Sequence, residues 1–82
     1  MISDPNDVNS KAEFLRFLWE LRADLEHNPE AWENVTLDRF LEAMAAWTAD
    51  CEGYYRNVEQ PVPSDASWRF LADILAAARV YE

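Results

Sequence analysis

The sequence predicts an all-α fold, a compact three-helix domain with an additional short helical turn near residues 29–33. Three observations carry that reading. Apolar residues recur at steps of three and four in three separate stretches. A capping residue stands at the head of each stretch. No stretch of useful length alternates apolar and polar residues, and a single glycine leaves no Gly-rich turns for a sheet.

Residues 1–9 read as a flexible leader, with Asp4-Pro5-Asn6-Asp7 as turn chemistry, and residues 10–82 as a single helical domain. Ser10 followed by Glu13 makes a capping box that opens the first helix. Phe14, Leu18, Leu21 and Leu25 share one face, Phe17 widens it, and Leu15 and Trp19 form a stripe beside it. Glu13, Arg16, Glu20 and Asp24 take the opposite side. This helix ends near Glu26 or His27, because Pro29 disfavours a helical Asn28.

Asn28-Pro29 then starts the short turn, a capping residue followed by proline at the first helical position. Thr36 caps the second helix, whose apolar face runs Leu37, Phe40, Leu41, Met44, Trp47, Cys51, Tyr54, Tyr55. Gly53 offers a C-cap, but the stripe continues through it, so the helix is expected to reach about Asn57. Of Tyr54 and Tyr55, one ring should enter the core and the other face outward.

Glu59 to Pro63 forms a stiff connector, and Ser64, in preference to Ser67, caps the third helix. That helix carries two stripes, Trp68-Leu71-Leu75-Ala78 and Phe70-Ile74-Ala77-Tyr81. Only Arg69, Asp73 and Arg79 interrupt its apolar surround, which places it at the centre of the domain or at a subunit interface. Trp47 and Trp68 are expected in the core.

Composition narrows the function. Sixteen acids against seven bases give a net charge of −9, which disfavours nucleic acid or an anionic membrane as partner, because both need positive charge. One cysteine closes no internal disulfide, so a reducing cytoplasm fits best. The acidic, polar amino terminus lacks the character of a signal peptide, and no apolar run approaches the ~20 residues of a membrane span.

Trp32-Glu33-Asn34-Val35-Thr36-Leu37, Phe40 to Met44, Trp47 and Gly53-Tyr54-Tyr55 form a recognisable series, as do Trp68 to Ala72, Leu75, Ala77-Ala78 and Tyr81-Glu82. The chain thereby resembles a group of short, acidic, uncharacterised bacterial proteins, a domain-of-unknown-function family with a W-E-N-x-T-L segment and a closing A-x-x-Y-E. The resemblance covers roughly residues 10–82. It implies a free-standing helical domain in a bacterial or phage-like cytoplasm, and it brings no activity or catalytic residue with it.

No catalytic residue, metal site or cofactor is assigned from the sequence. His27 is the single histidine, so no histidine pair can hold a metal. Cys51 lies on an apolar face, where a thiol acts as a small hydrophobe, and a Cys51–His27 nucleophilic pair is the weaker alternative. The pairs Glu30/Glu33 and Glu20/Asp24 fall one turn apart but read first as a solvated face. No phosphate-binding or nucleophile-elbow motif is present.

From Glu20 to Glu42 seven acids and two arginines leave −5, more than half of the net charge. Trp32 stands inside this run, either as a lid on the core or as a partly exposed anchor. The expected function is therefore a non-enzymatic, acidic protein-interaction module. Asp24, Glu26, Glu30, Trp32 and Glu33 would dock on a basic surface of another protein, in its sharpest form as an inhibitor- or immunity-like protein. The alternatives are a structural homodimer that uses the surplus apolar surface of the third helix, and, less favoured, a small enzyme or metal-binding domain. Asn34 reads as a turn residue that bonds the backbone.

Overall fold

Capping decides where each helix begins. A computed structural model describes residues 2–81; Met1, at the head of the expected leader, and Glu82, the last residue of the closing A-x-x-Y-E, lie outside the described residues. Helix α1 spans Lys11–His27. The Ser10 hydroxyl accepts from the Glu13 amide at 3.1 Å, and the Glu13 carboxylate reaches back to accept from the Asn9 amide at 2.9 Å. A 3-10 turn covers Pro29–Ala31. Helix α2 runs Leu37–Asn57, with Thr36 Oγ1 accepting from the Arg39 amide at 3.3 Å. The last helix, α3, spans Trp68–Ala78. Three helices and two 3-10 turns make the whole domain, with no strand among the described residues.

Two expected helix ends resolve at particular residues. Gly53 lies inside α2, which stops four residues later. Glu59 supplies the left-handed conformation that closes the helix, with φ 57°. The Gln60 amide donates to the Tyr55 carbonyl and the Glu59 amide to the Arg56 carbonyl, the pair of bonds that usually forms around glycine. At α3 the cap is Ser67, not the favoured Ser64: its hydroxyl accepts from the Phe70 amide at 3.0 Å. The helix starts beside the first side chain with something to pack on, since Trp68 meets Phe14 at 5.5 Å between ring centroids.

The core has two centres. The first gathers Val8, Phe17, Leu21, Trp32 and Ala72, with Phe14, Leu25, Phe40 and Leu75 packed around them. The second joins Trp47, Cys51 and Tyr55 of α2 to Phe70, Ile74 and Ala77 of α3. Helix α3 packs against α1, α2 and the N-terminal turn, so it is the central helix.

The segment ahead of α1 carries a turn of its own. Asp4 caps a 3-10 turn at Pro5–Asp7. Ser3 donates through its amide and its hydroxyl to the Glu20 carboxylate, and Val8 is only 2% exposed. A lone valine carries no periodicity, so its burial is invisible in the sequence, yet it contributes about 1.5–3 kcal/mol.

Several apolar faces are narrower than their stripes suggest. Phe17 and Leu21 form the buried centre of α1, and Leu18 moves to its rim. On α2, Leu37 is 73% exposed and Leu41 is also exposed, while Tyr55 enters the core and Tyr54 faces outward. Trp47 is buried as expected, but Trp68 is 39% exposed. Trp68 opens the first turn of α3, at the edge of the domain, where Phe14 packs against its ring.

Candidate functional site

Asp24 belongs to the buried face of α1, not to its acidic side. It follows Phe17 by seven residues, which returns it to within about 20° of the same line on a helix. Its Oδ2 accepts from the Trp32 indole Nε1 at 2.7 Å, and Arg79 approaches the same oxygen at 3.8 Å. Asn28 donates to Oδ1 at 3.4 Å. The Trp32 hydrogen bond holds the Asp24 carboxyl below the usual carboxylate range, against the opposing effect of burial. Arg79 also stacks over the Trp32 ring, 5.9 Å from its centroid, and so ties the end of α3 to the end of α1.

Asn34 completes this junction. Its side-chain amide donates to the carbonyls of Ala78 at 2.9 Å and Tyr81 at 2.8 Å. The Glu33 and Asn34 amides both donate to the Arg79 carbonyl. The Trp-Glu-Asn segment thus satisfies carbonyls that the end of α3 leaves without helical partners.

The five candidate docking residues therefore separate into two groups. Asp24 and Trp32 are buried and bonded to each other, so Trp32 is the lid on the first core and not an exposed anchor. A buried indole N–H needs an acceptor, and the carboxylate eight residues back in the chain supplies it. Glu26, Glu30 and Glu33 stay exposed. Of these, Glu33 lines an open groove of about 560 Å³ between α2 and the C-terminal residues, together with Asp38, Arg39, Glu42 and Tyr81. Ala43 and Ala46 floor it. Its three carboxylates form no salt bridge among the described residues, where Arg79–Asp24 is the one pair within 4 Å.

A second polar pair sits in the second core. Tyr55 is fully buried and donates to Asp73 Oδ2 at 2.5 Å. Burial pushes the Asp73 carboxyl up, opposed by that hydrogen bond and by Arg69. Burial, with Asp73 beside it, pushes the Tyr55 phenol up as well. Arg69 itself donates to Gln60 Oε1.

The remaining sequence candidates lie apart. Cys51 is buried in the second core, and burial raises its thiol, which disfavours the reactive thiolate. His27 is exposed at the last residue of α1, and no hydrogen bond joins it to Cys51 among the described residues. No group of three His, Cys, Asp or Glu side chains among the described residues could hold a metal ion. No helix among them is long and apolar enough to cross a membrane.

A model of a family of unknown function, DUF7660, matches residues 10–82. The chain belongs to that family. No curated protein and no solved structure matches it. The DUF7660 match spans both halves of the Asn34 junction. The sequence reading missed Asp38, Glu42 and Tyr81 as groove residues, and Asp73 as a buried carboxylate. The available signals were a seven-residue step from Phe17 to Asp24 and one acid inside the apolar run of α3.

Proposed function

We propose that this chain is a non-enzymatic protein-interaction module that docks through its acidic groove on a basic surface of another protein. The observation that carries the reading is the concave surface itself. Glu33, Asp38 and Glu42 line it against one arginine, without salt bridges among the described residues. Such charges speed encounter with a basic partner and select against acidic ones. The small floor residues Ala43 and Ala46 let a partner's backbone approach closely. In its sharpest form the protein is inhibitor- or immunity-like and covers a nucleic-acid-binding site with carboxylates in place of phosphates. The setting is the reducing cytoplasm of a bacterial cell, where the buried Cys51 thiol stays unpaired.

The test is affinity capture from an extract of the source organism with three proteins of comparable stability. These are the wild type, a Glu33→Lys/Glu42→Lys groove variant, and a Glu59→Lys/Asp65→Lys control with the same change in net charge. A basic protein held by the wild type and the control, and lost by the groove variant, supports the reading. Identical capture by all three overturns it.

A structural homodimer is a second reading, favoured by one observation. Trp68 and Leu71 remain exposed on α3 and line an open, largely apolar hollow beside Asn9. Sedimentation at micromolar concentration decides this reading, which a clean monomer retires.

A further inference from the structure

We propose that a cleft between α2 and α3, with Asp73 in its wall, binds a primary ammonium group carried on an aliphatic stem, as in a lysine side chain or a free alkylamine. The cleft holds about 220 Å³ and is also lined by Trp47, Tyr54, Ala76 and Ala77. Asp73 is only 6% exposed. Its Oδ2 is engaged by Tyr55, but no described residue donates to Oδ1. Among the described residues no side-chain oxygen is both sealed from solvent and without a hydrogen bond, so Oδ1 opens outward. A buried carboxylate with one oxygen satisfied and the other open lacks a donor, and a cation supplies both the hydrogen bond and the charge.

The surroundings favour a cation with an apolar stem. Trp47 and Tyr54 stand 5.5 Å apart between centroids, inclined at 58°, and their π systems attract positive charge. Ala76 and Ala77 leave room for methylenes. Arg79 borders the cleft, but its guanidinium turns to Asp24 and to the Trp32 ring, and its Nε donates to the Ala76 carbonyl. One open oxygen suits a compact ammonium, whereas a guanidinium would use both oxygens of the carboxylate. The cleft and the acidic groove share no lining residue, so this inference goes beyond the docking reading and does not rest on it.

The experiment is a ¹H–¹⁵N NMR titration of the full chain at low salt. The probes are n-butylammonium, N-acetyl-lysine methylamide and, as a neutral isostere, n-butanol. Butylammonium should shift the Trp47 indole and Asp73 amide signals with a Kd in the ~mM range expected of a fragment. Butanol should bind at least about tenfold more weakly, and Asp73→Asn should cost about tenfold in ammonium affinity. Tyr54→Ala removes an exposed ring, keeps the core, and should weaken binding several-fold; it decides the matter if Asp73→Asn does not fold. Binding of the lysine derivative as well as butylammonium identifies a chain-borne lysine, and binding of butylammonium alone a free amine. Equal binding of butanol, silence at Trp47 and Asp73, or unchanged affinity in both variants overturns the proposal. The Glu33→Lys/Glu42→Lys variant should retain ammonium binding, which separates this site from the groove.

Discussion

The Trp32 indole donates a 2.7 Å hydrogen bond to Asp24, eight residues back across the end of α1. This one contact turns an acid that looked like a surface feature into the internal partner of a tryptophan, with Arg79 of the C-terminal turn beside them. It also explains why a carboxylate persists on the buried face of α1. The charge has a donor and a nearby cation, and without them burial would expel it.

Trp32→Phe keeps the ring and removes the donor. The melting temperature should fall by about 5–10 °C, the range for a lost buried partner in a domain this small. Asp24 has a folded pKa below its unfolded one, so its contribution is present above the usual carboxylate range and is lost as pH falls through the folded value. Urea unfolding followed from pH ~6 to ~2.5 should therefore show a shallower acid-side decline in the variant. An unchanged profile would show that Trp32 does not set the Asp24 titration.

Asp73 carries the opposite sign. Its folded pKa is raised, so the stability it contributes is present at low pH and is lost as pH rises through the folded value. Tyr55 and Cys51 face this region from α2, Arg69 lies one turn earlier on α3, and Asp4 of the N-terminal turn adds like charge. Asp73→Asn should match or exceed wild-type stability near neutral pH and lose that advantage on acidification. Tyr55→Phe leaves Asp73 without its donor and should cost about 1–3 kcal/mol. Denaturant midpoints across the pH range check both.

Two backbone positions offer stabilisation. A Cβ at Gly53 meets nothing within 4 Å, so Gly53→Ala should add about 0.5–1 kcal/mol and raise the melting temperature by roughly 2–8 °C. Glu59→Gly relieves a left-handed residue and should add about 1 kcal/mol or less. Calorimetry on each variant decides, and a lower melting temperature for Gly53→Ala would mean that α2 does not run straight through that residue.

Asn34→Ala removes two donors from the C-terminal end of α3 and should cost about 1–2 kcal/mol. Hydrogen exchange should quicken at residues 78–81 more than at the centre of α2. Uniform quickening would show that the junction is no more than one part of a global loss.

What was legible in the chain was local. Ser10 with Glu13 and Thr36 are capping signals within four residues of the backbone they serve, so the starts of α1 and α2 follow from the sequence directly. The short turn begins at Pro29 as expected, although the Asn28 side chain makes no cap hydrogen bond there and turns to Asp24. The order of the helices and most of the core stripes follow from periodicity for the same reason. Glu26, Glu30 and Glu33 keep their expected places at the surface, because an exposed carboxylate needs only water.

Tertiary packing decided the rest. Tyr55 reaches Asp73 across 18 residues, and Asn34 reaches Ala78 and Tyr81 across 44 and 47. Val8, Asp24 and Trp32 take their roles from neighbours on other elements. A helix can be inferred from hydrogen bonds four residues apart. The partner of a buried polar group depends on which faces meet once those helices have packed, and that choice is written in no short stretch of sequence.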